Sequence, residues 1–243
     1  MKDAVPREAS RDSSEAGGTP AAGLRLAVMQ PYYLPYAGYF RLFAAADLVV
    51  FFDCVQFPRR GWLHRNQLCD SVGAPQWLTL PLEKAPQDVL IRDLRFRVGA
   101  AADMAAQFRR FPALATPAAA PLRAAMSDLS GTPLDHIERL LHLAARQLGL
   151  PWRVLRSSSL DIDPALRGQD RILAIATRLG AGCYLNPPGG RGLYEPARFA
   201  EAGIALRFLP PYNGAHASIA ERLGTESAAA VAVEIGENTR LVE

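Results

Sequence analysis

The segment from Leu24 to Phe52 reads as strand, loop, helix, strand, and this succession constrains the fold more than any other feature. Leu24, Leu26 and Val28 alternate with Arg25 and Ala27, the period of a strand. Gln30 to Tyr36 then carries two prolines and three tyrosines, which end the strand in a loop. Ala37 to Asp47 spaces its apolar residues as a helix does. Leu48 to Phe52 is a continuous apolar run, as expected of a strand buried on both faces. A βαβ unit therefore opens the folded part of the chain, and a parallel sheet follows from it.

The rest of the sequence extends that pattern. Asp53 to Gly61 is a polar, basic loop, and Trp77–Leu82 and Val89–Val98 read as strands, with Pro81 and Pro86 favouring an edge or a bulge. Residues 99–149 form an Ala-rich helical insert, broken by Pro112, Pro117, Pro121 and Pro133. Within it Asp135 to Leu148 is the clearest amphipathic helix, carrying Ile137, Leu140, Leu141, Ala144 and Leu148 on one face. Alternation resumes with a strand at Trp152–Leu155, a helix at Asp170–Leu179 and a strand at Gly182–Leu185. A helix at Pro196–Ala202 and a strand at Ile204–Leu209 follow. The expected fold is α/β, Rossmann-like, with a mostly parallel sheet. A single domain spans residues 24–232, between a disordered tail at 1–23 and a C-terminal tail at 233–243. The N-terminal stretch mixes both charge signs with Gly, Pro and Ser and has no apolar core, so it is not a signal peptide.

Composition removes several function classes. With 243 residues, 49% of them hydrophobic, the chain can bury a large core, yet no apolar run is long enough to span a membrane. A net charge of +3 is too mild for nucleic-acid binding without a localised patch. Lys2 and Lys84 are the only lysines, so no P-loop Gly-Lys-Ser/Thr exists and a Schiff base is confined to those two. Cys54, Cys69 and Cys183 form no CxxC pair; they read as reduced thiols of a cytoplasmic protein rather than as a disulfide frame or zinc site. No metal site and no particular cofactor is specified.

In an open parallel sheet, ligands bind beyond the carboxyl ends of the strands. Three unusual segments fall there: MQPYYLPYAGYF (29–40), FDCVQFPRRGWLHRNQ (52–67) and YLNPPGGRGLYEP (184–196). In the second, Arg59, Arg60, His64, Arg65 and Asn66 form the best anion site in the chain, with Gln56 beside them; the alternative is a solvated basic loop pairing with Asp53 and Asp70. Asp53 ends a buried strand, where a carboxylate acts as a base, orients an arginine or serves as a structural cap. Gly189-Gly190-Arg191-Gly192 lets backbone N–H groups approach a phosphate, or makes a tight turn, and Asn186 and Tyr194 flank it as orienting groups. Gln30, Tyr36 and Tyr39 line the first segment. His136 and His142 read as ordinary helix residues, and His216 beside Ser218 lacks the Gly-x-Ser-x-Gly elbow of a serine nucleophile.

These segments, with WLTLPL, the run from Tyr184 to Tyr212 and ASIAERLG, resemble the WbqC-like family of bacterial O-antigen and related polysaccharide clusters, over most of residues 26–230. The resemblance implies a transferase that moves glycine or a similar acyl group onto a sugar. Two departures stand out: Asp53-Cys54 where the family commonly has an Asp pair, and Arg59-Arg60-Gly61-Trp62 where it has Lys-Arg-Gly-Trp. The stretch from Pro35 to Tyr39, followed by a helix and by Asp47 before an apolar strand, also resembles the nucleotidylyltransferase and pantothenate-synthetase class. Tyr36 and Tyr39 stand where that class has the histidines of His-x-Gly-His.

The expected activity is transfer of a small acyl or aminoacyl group onto a sugar amine in surface-polysaccharide or related glycan synthesis. Asp53 or His64 would deprotonate the amine, and Arg60 and Arg65 would hold an anionic nucleotide-sugar or activated acyl donor. The alternatives are an ATP-dependent amide ligase of the nucleotidylyltransferase-like class and a non-catalytic binding subunit of a polysaccharide-assembly complex.

Overall fold

In a computed structural model, the described residues run from 23 to 239. Five parallel strands, β1 (Leu24–Met29), β2 (Leu48–Phe51), β5 (Val154–Arg156), β6 (Ala181–Asn186) and β7 (Ala205–Phe208), form one sheet in the order β5-β2-β1-β6-β7. The chain leaves β1 to one side for β2 and β5, then returns to the other side for β6 and β7. The strand order therefore reverses between β1 and β6. The α/β class and the mostly parallel sheet are as the sequence indicates.

Side-chain alternation sorts the sheet onto two cores. Ala27, Val49, Phe51 and Leu185 enter the larger one, whereas Leu26, Val28, Val50 and Tyr184 enter the smaller. Helices α1 (Arg41–Ala45), α4 (Pro133–Gln147), α7 (Ile219–Thr225) and α8 (Ala228–Glu237) supply the larger core; α5 (Gly168–Arg178) and α6 (Pro196–Glu201) close the other face. The insert also holds α2 (Ala100–Phe108) and α3 (Ala120–Ser127), separated by the predicted prolines. In α4, Ile137, Leu140 and Leu141 are at most 1% exposed, each contributing about 1.5–3 kcal/mol by its removal from water. Thr132 and Asp135 form a capping box with Pro133 at the first turn. Arg156 at the end of β5 forks onto Asp135 and Glu138, both at 2.7 Å, and ties the insert to the sheet edge.

Four details differ from the sequence reading. The basic segment is not one loop: Arg65–Cys69 is strand β3, which pairs antiparallel with β4 (Pro75–Thr79) as a separate hairpin. Its alternation hides in the sequence because one of the two buried positions is Asn66 and the other Leu68. Val89–Val98 is not a strand. It makes single bridges, Gln56 with Leu90 and Leu82 with Phe96, around a 3₁₀ turn at Ile91–Asp93. Its buried residues Ile91 and Leu94 lie three apart, the spacing of a 3₁₀ turn rather than a strand. The helix expected at 37–47 is a 3₁₀ turn, Ala37–Phe40, running into the short α1. Finally, α7 and α8 follow the last strand, and α8 buries Val231 and Ile235, so ordered structure passes residue 232. The tail expected at residues 1–23 lies outside the described residues, Gly23 excepted, as do residues 240–243.

His136 shows what the larger core demands of a polar group. It is fully buried, with the Tyr33 ring stacked at 6.3 Å and Phe96 edge-on at 5.7 Å. Nδ1 lies 2.9 Å from the Asp128 carbonyl, and Nε2 has no partner. Burial, reinforced by nearby Arg139 and opposed by the Asp128 carbonyl, lowers its pKa from 6.5 to about 4. As pH falls below 6.5, the unfolded chain therefore takes up this proton first. Stability is full above that pH and declines toward pH 4, at roughly 1.4 kcal/mol per pH unit from this one group. Urea midpoints across the window should fall for the natural chain, and less steeply for His136→Gln.

Candidate functional site

The loop after β1 is shaped by distant parts of the chain. Leu34 holds φ 48°, the left-handed region that a residue with a Cβ enters at a cost of roughly 1–2 kcal/mol. Its carbonyl accepts from Asn66 Nδ2 at 2.6 Å and from Ser218 Oγ at 2.8 Å, while the Ile219 N–H bonds to the Pro35 carbonyl at 2.8 Å. Ser218 thus caps α7 and pins this loop, and His216 stacks instead on the Tyr36 ring at 5.0 Å. The Tyr39 hydroxyl donates to the Gln30 carbonyl at 3.0 Å. Gly38 is required here, because a Cβ would meet the Tyr36 ring and come within 2.8 Å of Tyr212.

At the β1/β6 reversal this loop faces the loop after β6 across a cleft of about 540 Å³. Gln30, Tyr36 and Tyr39 line one side, and Asn186, Gly190 and Tyr194 the other, so six of the expected site residues meet. Tyr32 and Gln169 join them. The glycine-rich run is a 3₁₀ turn, Pro188–Leu193, with Gly190 buried; a Cβ at Gly190 would overlap the Asn186 amide. Tyr194 is held by the buried Tyr184, their hydroxyls 3.1 Å apart. The lining is mostly aromatic and apolar with a few amides, the composition of a ligand pocket.

A second chamber of about 500 Å³ adjoins it over the ends of β2 and β5, and the two share Phe52 and Gly168. Its walls carry Cys54, Gln56, Ser157, Ser158 and three arginines, Arg92, Arg167 and Arg171. Asp53 lies beneath them, fully buried. Its carboxylate accepts from Ser157 Oγ at 2.8 Å, the Ser158 N–H at 2.8 Å and Ser158 Oγ at 2.5 Å. Ser157 Oγ is also 2.8 Å from Cys54 Sγ. Asp53 is thus a clasp between the ends of two neighbouring strands, bonded to serines rather than to the arginines of the following loop.

Those arginines lie elsewhere. Arg59 donates to the carbonyls of Ala85 at 2.5 Å and Pro86 at 2.7 Å, and with the exposed Arg60 it lines a shallow groove that meets the second chamber at Gln56. Arg65 lies over the Trp77 ring at 4.2 Å and donates to the Arg60 carbonyl at 3.0 Å. Asn66 is spent on the Leu34 loop. His64 packs edge-on against Phe57 at 5.0 Å, and burial, then Arg65, lower its pKa to about 4. It lines neither chamber.

Ser157, Ser158, Arg92, Arg167 and Arg171 escaped the sequence reading. One signal was available. Arg167 and Arg171 flank the first turn of α5, where a helix dipole disfavours cations. At the opposite edge of the sheet, a hollow of about 210 Å³ is lined by the Arg25–Asp47 ion pair, away from all these loops. Among the described residues no group of three or more His, Cys, Asp or Glu is placed to hold a metal, and no helix is long and apolar enough to cross a membrane.

The sequence matches the WbqC-like protein family over residues 30–216. It is similar to the uncharacterized protein Rv1507c of Mycobacterium tuberculosis (strain ATCC 25618 / H37Rv), 26% identical over 206 residues that cover 78% of this chain and 83% of that protein. No solved structure matches.

The clasp generates a direct test. Asp53→Asn keeps the shape but turns one acceptor oxygen into a donor facing the serine hydroxyls and the Ser158 N–H. The expected loss is about 1–3 kcal/mol, read as a lower urea midpoint with an unchanged slope.

Proposed function

Since the chain belongs to the WbqC-like protein family, we propose that it is a transferase that moves a small acyl or aminoacyl group onto a sugar amine. The observation that carries this reading is the pair of joined chambers at the carboxyl edge of the sheet, one aromatic and amide-lined, the other rich in arginine. Two substrates of different chemistry fit such a site. A ring system packs on Tyr32, Tyr36 and Tyr194 and is oriented by Gln30 and Asn186, and an anionic activated donor lies along Arg92, Arg167 and Arg171.

In the reaction the amine nitrogen attacks the acyl carbon. A C–N bond forms, the bond to the donor's leaving group breaks, and the ammonium proton is released. The protein contributes alignment and electrostatic stabilisation of the departing anion. Asp53 acts as a positioning residue, since it fixes the hydroxyls of Ser157 and Ser158 at the chamber wall. A half-buried His64 with a pKa near 4 is a weak base at neutral pH and lines neither chamber, so the amine is not assigned to it.

The β5-β2-β1-β6-β7 order also favours a second reading, an ATP-dependent amide ligase, because it places the β1 loop and the β6 turn together at the sheet reversal, as in doubly wound nucleotide-binding folds. Incubation with a UDP-linked amino sugar and either glycyl-coenzyme A or glycine with magnesium ATP separates the two. A mass gain of one glycyl group in the first arm supports transfer, and a gain confined to the second supports the ligase. No product in either arm would leave the binding-subunit reading in place. Gly190→Ala, which displaces Asn186, should lower kcat/KM about tenfold or more in the productive arm.

A further inference from the structure

The second chamber holds a positive charge that its walls do not neutralise. Arg171 is 7% exposed. Its Nη1 donates to the carbonyls of Asp163 at 3.1 Å and Leu166 at 3.5 Å, and its Nη2 to Cys54 Sγ at 3.0 Å. Nε is buried with no partner. Among the described residues no carboxylate lies within ion-pair distance of it. Asp53 reaches this cluster only through Ser157, which bonds both to its carboxylate and to Cys54. Removing a guanidinium from water without a counterion is costly, and the usual compensation is an anion.

The surroundings supply the rest of an anion site. Arg167 and Arg92 lie on the same walls; Arg92 pairs with Asp93 at 3.9 Å, and the lining itself contains one carboxylate, Asp88. Gly168, with φ 49°, lines both chambers and opens the eleven-residue helix α5, whose first-turn N–H groups have no partner within the helix. Arg167 immediately precedes that turn, and its Nη1 is committed only to nearby carbonyls, those of Pro164 and Leu166. Arginines lining a cavity beside a helix start supply the donors that the tetrahedral, multiply charged oxygens of a phosphoryl group take.

We propose that this chamber is an oxyanion subsite that takes the diphosphate of a substrate, with Arg171 as its buried anchor and Arg167 and the start of α5 as its rim. The inference rests on the transferase reading only in assigning that diphosphate to a donor or acceptor; the subsite itself stands on the unneutralised Arg171. The shared edge at Phe52 and Gly168 then places a group linked to the diphosphate in the aromatic chamber.

Inorganic pyrophosphate is the probe, titrated calorimetrically into the full chain at constant ionic strength. Cys54→Asp tests the mechanism without removing the arginine, because it sets a carboxylate beside Arg171 Nη2 and supplies the missing counterion. Binding to the natural chain, weakened about tenfold or more in Cys54→Asp and several-fold in Arg167→Gln, is the expected result. Asn186→Ala, in the other chamber, should bind pyrophosphate as the natural chain does. Absence of binding to the natural chain, or equal affinity in Cys54→Asp and Arg167→Gln, overturns the proposal. Should Cys54→Asp fail to fold, iodoacetamide labelling of the natural chain decides. Pyrophosphate must slow modification of Cys54 relative to Cys69 and Cys183 in the same sample, and equal rates with and without it refute the subsite. Pyrophosphate binding without glycyl transfer would remove the transferase reading and leave the subsite standing; the converse would do the reverse.

Discussion

The carbonyl oxygen of Leu34 is the point on which the site depends. Two donors converge on it, Asn66 from the hairpin 32 residues away and Ser218 from the start of α7, 184 residues away. Each bond contributes about 1 kcal/mol net, enough together to offset the left-handed backbone that Leu34 adopts. That backbone turns the chain so that Tyr36 and Tyr39 stand over the end of β1 instead of continuing away from the sheet. The hairpin and the C-terminal helices, neither of which belongs to the central sheet, therefore serve the site by holding one loop. Arg41 extends the same arrangement: it is 1% exposed, and its Nη1 donates to the carbonyls of Pro210 at 2.9 Å and Asn238 at 2.8 Å. The end of α8 is thereby fixed to the helix that leaves the tyrosine loop.

Sheet topology does the remaining positioning. A chain that builds outward from β1 on one side and returns on the other leaves a gap above the reversal, since the loops after β1 and β6 diverge there. The aromatic chamber occupies that gap. The arginine chamber lies one strand over, where the Asp53 clasp joins the ends of β2 and β5. A buried carboxylate bonded by three donors keeps those ends in register, so the clasp and the chamber walls are one construction.

What the sequence disclosed and what it hid follow the same physical division. The parallel sheet was legible because strands buried on both faces announce themselves as apolar runs, as Leu48 to Phe51 does, and α4 because its apolar face repeats along the helix. The loops after β1 and β6 were legible because prolines, glycines and tyrosines concentrate at strand ends. Strand β3 was not, since a buried asparagine breaks the apolar alternation that a strand displays. The segment 89–98 misled in the opposite direction: its aliphatic residues are buried, but by a 3₁₀ turn. Helices α7 and α8 went unread although each has a serine cap and apolar residues four apart, Ile219 and Leu223 in α7 and Val231 and Ile235 in α8.

The arginines make the sharpest case. A cluster such as Arg59, Arg60 and Arg65 draws attention in a sequence, yet Arg59 and Arg60 are exposed and keep their hydration at little cost to the fold. The structure spends Arg59 on carbonyls and Arg65 on a carbonyl and the Trp77 ring. Arg171 belongs to no such run of cations and draws none. Its burial beside a thiol rather than a carboxylate is the expensive arrangement, and burial depends on how β2, β5 and α5 meet, which no local pattern encodes. Charge density along a chain records where cations are cheap to hold. A cation that carries information about a ligand is one the fold holds at a cost on the wall of a chamber, as it holds Arg171.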